Sequence, residues 1–526
     1  MNTPKFVTLH TKREDYRVFR LYTILKYILH IVLILFTIGN LAAQNESNKT
    51  QVIIKQADRL YRDDRVSDAQ VLQGNVIFEH DGALMYCDSA LIFQEENSLE
   101  AYGNIKVNQG DTISITGDSL FYIGDEKLAK LRGNIFFKEK DLKLTTNILN
   151  YDLNAGVATY HSGGTIVSTE NNNNLSSQTG SYNSNTESLF FKDSVRLINP
   201  EYTIESDTLT YNTLSEVSYF HGPTFIRSDE NFIYCEHGWY DTQNEISSFW
   251  SNTYIISKEQ KLEGDSIYYD RNIGEGKAYG NVQITDTSNN VIINGDIAIH
   301  DEKNDSSLVT GNAIFTQIEK LDTLYLCADT LTFKIDSSTK SQSFRGFHNV
   351  VLFKKDLQAR CDSIAYNEQD SLMHLFIDPI IWSDENQLTG ETIIIKTSGG
   401  NISNLFINYD ALIVSELDTS NYNQIKGKTI RGYFKDNQLD EIFVKGNGET
   451  IYFLGNEGDP VTDMNRSICT NIKIKLDSSQ IQTIKFITDP SSNMVPISSL
   501  SNADKKLEGF MWKIADRPKS REDLLK

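Results

Sequence analysis

The chain has 526 residues, 39% of them hydrophobic and 23% charged, with 25 Tyr and 26 Phe but only 8 Pro. That balance excludes a disordered chain, and abundant aromatics with scarce proline favour long, regular β structure. A formal charge of −21 excludes the basic surface needed to track a nucleic-acid backbone.

Residues 1–43 run against this acidity. Lys5, Lys12, Arg13, Arg17, Arg20 and Lys26 outnumber Glu14 and Asp15, and an apolar run from Tyr27 to Ala43 follows, ending in Ala42-Ala43 before Gln44. A basic start, an apolar centre and a small-residue end describe a secretory signal cleaved near Ala43. The apolar run also approaches the ~20 residues of a membrane span, so an uncleaved N-terminal anchor is the alternative. On either reading the rest of the chain is exported.

From residue 44 to 454 a two-part signature returns about every thirty residues. The first part is Gly-Asn-apolar: Gly74-Asn75-Val76, Gly103-Asn104-Ile105, Gly133-Asn134-Ile135, Gly280-Asn281-Val282 and Gly311-Asn312-Ala313. The second is small-Asp-Ser/Thr-apolar-x-aromatic, as in Gly117-Asp118-Ser119-Leu120-Phe121-Tyr122, Ser206-Asp207-Thr208-Leu209-Thr210-Tyr211 and Gly264-Asp265-Ser266-Ile267-Tyr268-Tyr269. A fixed period of this length means stacked units, none of which buries its apolar face alone. Within a unit the pattern has period two, with Ile105 and Val107 around Lys106, and Val282 and Ile284 around Gln283. Such alternation predicts strands with one dry face and one wet face. Gly-Asn suits a bend at positive φ, and Asp with Ser or Thr suits a corner where side chains satisfy backbone N–H groups. The expected fold is all-β, an elongated stack of antiparallel strands closed as a filled solenoid or as an open-seamed jellyroll. About eleven units, each adding one or two strand layers, predict a length on the order of 50–100 Å.

Chemistry-bearing constellations are sparse. Cys87, Cys235 and Cys361 fill the small-residue slot that Gly117, Ser206 and Gly264 fill elsewhere, so they read as small apolar residues, and a Cys327–Cys361 bridge is disfavoured. No Cys-x-x-Cys pair occurs and the histidines are scattered, which supports neither a metal site nor a cofactor. The acidic residues recur once per unit in one slot, as a corner requires; glycosidic catalysis needs a single asymmetric pair. His237, in Glu236-His237-Gly238-Trp239, reads as packing or surface. The Asp-Ser/Thr-apolar triplets at Ser89, Ser119, Thr208, Ser266, Thr330 and Ser363 resemble O-glycosylation acceptors, but repetition alone accounts for them.

The alternating pair of motifs, from about Gln51 to Phe453, resembles the OstA-like family of lipopolysaccharide-transport proteins. The resemblance implies a twisted β-jellyroll, open along a seam, whose apolar interior shelters lipid acyl chains while the sugars face water. It implies a noncatalytic periplasmic carrier bridging inner- and outer-membrane machinery. Its partners would be lipopolysaccharide, other bridge components docked by edge-strand addition, and further copies joined end to end. The residues that would line the lipid groove are Val76, Phe78, Ile105, Val107, Leu120, Tyr122, Ile135, Phe137, Leu209, Tyr211, Val282 and Ile284. Without the resemblance, the same residues read as a closed core, and the chain as a structural or adhesive surface solenoid. Residues 455–526 lack the signature and form a C-terminal extension. Ile481 to Thr488 reads as a strand there, and Phe510 and Trp512 could cap the last layer.

Overall fold

The computed structural model describes residues 50–524, apart from 63–68, 169–171, 320–321, 400, 436–437, 455–460 and 478–479. The expected signal or anchor at 1–43 lies outside the described residues. Among the described residues no helix is long and apolar enough to cross a membrane. One antiparallel sheet of 34 strands holds almost everything. Each strand pairs with its neighbours in sequence, as Ser98–Gln109 does with Ala83–Phe93 on one side and Ile113–Ile123 on the other. Six rungs are split into two short strands, for example Val157–Tyr160 with Gly164–Ser168, so the ladder has 28 rungs. At ~4.8 Å per rung the contour is about 130 Å. That exceeds the length expected from the sequence, because every unit supplies two rungs and pairing continues to Pro496.

Each strand bends where the signature falls. Opposite Gly103-Asn104 the register slips between Tyr102 and Ile105, and both residues lie at positive φ, 76° and 44°. Such a bulge kinks a strand and increases its twist. Repeated on every second strand, the kink folds the whole sheet over along one line, giving two arms that face each other. Contacts between the arms establish this: Phe137 meets Tyr151 edge-on at 6.2 Å, and His80 Nδ1 lies 2.7 Å from the Tyr122 hydroxyl. The result is an elongated all-β jellyroll whose apolar interior lies between the arms.

The corner itself departs from the expectation of local backbone capping. The motif Asp accepts a hydrogen bond from the Asn of the next strand: Asn104 Nδ2 to Asp88 at 2.8 Å, Asn134 to Asp118 at 2.8 Å and Asn281 to Asp265 at 3.1 Å. The two halves of the signature are therefore one interlock. Degenerate corners keep it, with Asn252 donating to Glu236 at 2.8 Å although Ser251 replaces the glycine and still adopts φ 64°. The small-residue slot has a second use. Its side chain donates to the carbonyl two residues on, as Ser206 does to Thr208 at 3.0 Å and Cys361 to Ser363 at 3.3 Å. All five cysteines are free and buried.

After Pro496 the chain leaves the end of the sheet and turns back along its outer face. Three buried glutamines hold it there. Gln424 donates to Lys505 O and accepts from Leu507 N, both at 2.8 Å. Gln387 donates to Met511 O at 2.8 Å and accepts from Lys513 N at 2.7 Å, and Gln358 accepts from Arg517 Nε at 2.7 Å. Each amide of the first two engages residues i and i+2 of the tail, as a neighbouring strand would. Phe510 and Trp512 pack on Tyr422, and Leu524 is buried against Cys327 and Val351.

Candidate functional site: the interior between the arms

The interior divides into three stretches. From residue 70 to 160 it is filled. Val76, Phe78, Ile105, Val107, Leu120, Tyr122, Ile135 and Phe137 are all at most 5% exposed and belong to one packed cluster. A gap of about 10 Å³ lies between Met85, Val107 and Ile115 on one arm and Tyr122, Ala129 and Tyr151 on the other. That is barely a water's worth and holds no acyl chain in this conformation.

A polar latch closes the mouth over this filled stretch. Thr50 reaches one arm through Asp81 Oδ1 at 2.7 Å and His80 Nε2 at 2.8 Å. On the other arm, Asn97 Nδ2 donates to Thr50 O and to Asp125 Oδ1, each at 2.9 Å, and Asn97 Oδ1 accepts from Val52 N at 2.9 Å. The Lys127 ammonium lies 2.5 Å from Asp81, and its hydrogen bond, with that of Thr50, holds the Asp81 carboxyl below the usual range. His80 is 2% exposed, at a slot where other units carry Gln109, Glu139, Asp286 or Gln317. Because that slot is polar in unit after unit, nothing in the sequence singled out the latch, and its partners, 30 to 47 residues apart, carry no mark there either.

Between residues 200 and 300 the same inward positions are differently exposed. Near the corner they are buried, including Leu209 at 2% and Val282 at 1%. Toward the mouth they are half-buried: Tyr211, Ile226, Ile233, Ile255, Leu262 and Ile284 lie against the core without being covered by it. Tyr182, Tyr211, Tyr240 and Tyr269 occupy equivalent positions along one lip, about 10 Å apart because two rungs separate them. Burial, followed by nearby carboxylates, pushes the Tyr182 phenol up to about 12, and burial raises Tyr240 and Tyr269 as well, so these hydroxyls stay protonated. Tyr269 donates to Glu302 at 2.9 Å. Among the described residues no ring contact crosses between the arms here. The arms meet again where Phe315 packs on Phe333 at 6.1 Å and on Phe344 at 6.3 Å, and beyond that the interior is filled.

The twelve residues singled out from the sequence thus all face inward, ten buried and two, Tyr211 and Ile284, half-buried at the open mouth. No group of three or more His, Cys, Asp or Glu able to hold a metal occurs among the described residues.

A bent, single-sheet jellyroll with an apolar interior defines the class of protein. Residues 49–207 match the family described as OstA-like protein, and residues 292–401 match the LptA/(LptD N-terminal domain) lipopolysaccharide-transport protein family. The OstA-like resemblance of the motif pair is thereby met by matches over two separate stretches of the chain. The open stretch of the interior falls largely between the two. Among solved structures the chain is similar to LptH of Pseudomonas aeruginosa, the LptA-homologous periplasmic component of the lipopolysaccharide transport device. The identity is 13% over 27% of this chain and 94% of that one, with a TM-score of 0.21. No curated protein matches the chain.

Proposed function

We propose that this protein carries lipopolysaccharide in the periplasm, holding its acyl chains against the inner face of the folded sheet. The observation that supports this best is the half-covered apolar strip at the mouth, with Ile226, Ile233, Ile255, Leu262 and Ile284 lying along successive rungs. Such a strip is costly to leave in water, and each CH₂ of lipid laid along it contributes about 0.8 kcal/mol when fully buried. The phenol row at the lip lets sugars and phosphates remain outside while tails enter. Leu209, Tyr211, Val282 and Ile284 line the stretch that lipid reaches first. Val76, Phe78, Ile105, Val107, Leu120, Tyr122, Ile135 and Phe137 line a second stretch, reached when the latch parts. End strands that pair on one side only among the described residues, with Leu60 56% and Met494 58% exposed, suit docking of other bridge components or further copies by strand addition. Residues 1–43 export the chain and, if uncleaved, anchor it at the inner membrane.

Photocrosslinkers at Tyr211 and Ile284, in cells, test the reading. Capture of lipopolysaccharide there, with accumulation at the inner membrane on depletion, is the expected result. No capture at either position would sink it. The filled stretch from 70 to 160 favours the rival reading, a structural or adhesive solenoid, for which protease accessibility at the cell surface is the mark.

A further inference from the structure

The outward faces of most rungs carry the residues expected of a wet β surface, such as Glu100, Lys106, Lys130 and Lys138. The strands from Val217–Ser228 to Glu275–Asp286 do not. On one arm, Tyr219 pairs with Trp239, which continues through Ser248 to Tyr268. One step closer to the corner, His221 pairs with His237, His237 with Trp250, and Trp250 through Ser266 with Tyr279. Inward positions of the same strands hold Phe220, Phe249 and Ala278, so these rings belong wholly to the outside. Tyr219, Trp250 and Tyr279 are 43%, 38% and 42% exposed. His237 stacks on Trp250 at 6.2 Å with 25° between the planes. The outcome is a strip five strands long, with two rings on each of its first two strands and one ring on each of the next three.

We propose that this strip is a binding platform for a neutral, hydroxyl-rich polysaccharide chain, separate from the interior and independent of what the interior carries. Three observations fix that class of ligand. Rings held by strands ~4.8 Å apart stand at intervals suited to successive pyranose units, whose C–H faces lie flat on aromatic faces. The hydroxyls of Ser248 and Ser266 stand between the rings, that of Thr210 borders Tyr219, and all three supply hydrogen bonds that a purely apolar partner would leave unmet. The borders are acidic: Asp207, Glu236 and Asp265 along the corner, Asp241, Asp270 and Glu275 along the tips. The one ammonium bordering the Tyr268 end, on Lys277, is ion-paired with Glu275. That field repels phosphate-rich saccharides, nucleic acid and anionic membranes, and leaves an uncharged glycan as the partner of matching chemistry.

Affinity electrophoresis of the full chain through gels containing lipid-free mannan, dextran or mild-acid-released O-polysaccharide tests this. At least one should retard the protein, and Trp250→Ala or Tyr219→Ala should weaken the retardation about tenfold, the size of losing one stacked ring. Trp250→Phe, which keeps a ring, should retain most of it. Tyr102→Ala, which removes an equally exposed ring elsewhere on the outer face, should leave it unchanged. Absence of retardation by all three glycans overturns the proposal, as does an equal loss with Tyr102→Ala. Binding to phosphatidylglycerol vesicles in preference to glycan overturns it too. Because the probes carry no acyl chains, failure here would leave the interior reading standing, and the converse holds.

Discussion

At four of the five Gly-Asn corners one side-chain hydrogen bond does what two separate motifs suggested in the sequence. Asn134 can reach Asp118 only because Gly133 takes φ 79° and brings the two backbones together; a Cβ at Gly133 would run into the Asp118 carboxylate. Gly133→Ala should therefore destabilise the stack by about 1–3 kcal/mol, combining backbone strain with loss of the interlock. Asn134→Ala should cost about 1 kcal/mol, and calorimetry on the two variants separates the contributions. The near-constant spacing, 16 residues from Asp88 to Asn104 and again from Asp265 to Asn281, was present in the sequence. What it could not reveal was that the partner lay on the adjacent strand and not in the local backbone. The thiols in the neighbouring slot follow similar logic. Burial pushes Cys87, Cys235 and Cys361 up to about 12. Their folded values lie above that of a free thiol, so stability linked to them is fully present below about pH 8.5 and declines as pH rises toward 12. Native protein at pH 8 should leave all five cysteines unreacted with a thiol reagent, and denaturant should release five. A count of three would mean that a disulfide had formed.

Among the elements, the strands were legible and the tail was not. Alternation marked the inward residues of nearly every strand because a half-buried sheet imposes period two on its sequence. The tail from 497 to 524 has no period, since its contacts are three glutamine side chains, scattered polar bonds to Asn421, Lys426 and Asp384, and a few apolar residues spread over another surface. One trace of it existed: Ala411, Leu412, Ile413 and Val414 are continuously apolar, which a strand with one wet face does not need. Both faces are buried there, with Leu412 and Val414 lying under the tail together with Leu507. Gln387 is wholly buried, so truncating it strands the N–H of Lys513 and the carbonyl of Met511. Gln387→Ala should cost about 2–3 kcal/mol locally. Limited proteolysis would then cut between 497 and 524 while the sheet stays intact; an unchanged digestion pattern would mean that apolar contacts alone hold the tail.

At the scale of the whole molecule, a contour of about 130 Å implies a rod, and small-angle scattering should return a maximum dimension well above 100 Å. Along that rod the interior runs filled, open, then filled, although the motif repeats throughout. Periodicity fixes which side chains face inward, but not how far apart the arms stand. That distance is set by which side chains meet across the interior, the latch around Thr50 at one end and the Phe315, Phe333 and Phe344 cluster at the other. The latch is the weaker closure, because it consists of hydrogen bonds whose outer members, Thr50, Asp81 and Asp125, are open to water, whereas the aromatic cluster is packed against the core. Combining His80→Ala, Asp81→Ala and Asn97→Ala should remove the side-chain bonds that tie Thr50 to both arms, together with the Asp81–Lys127 pair, and let the N-terminal stretch open. A photocrosslinker at Phe78, silent in the parent protein, should then capture lipopolysaccharide, while one at Ile284 captures it in both. If Phe78 stays silent when the latch is gone and the protein remains folded, the N-terminal stretch is permanent core and the carrier works through its middle alone.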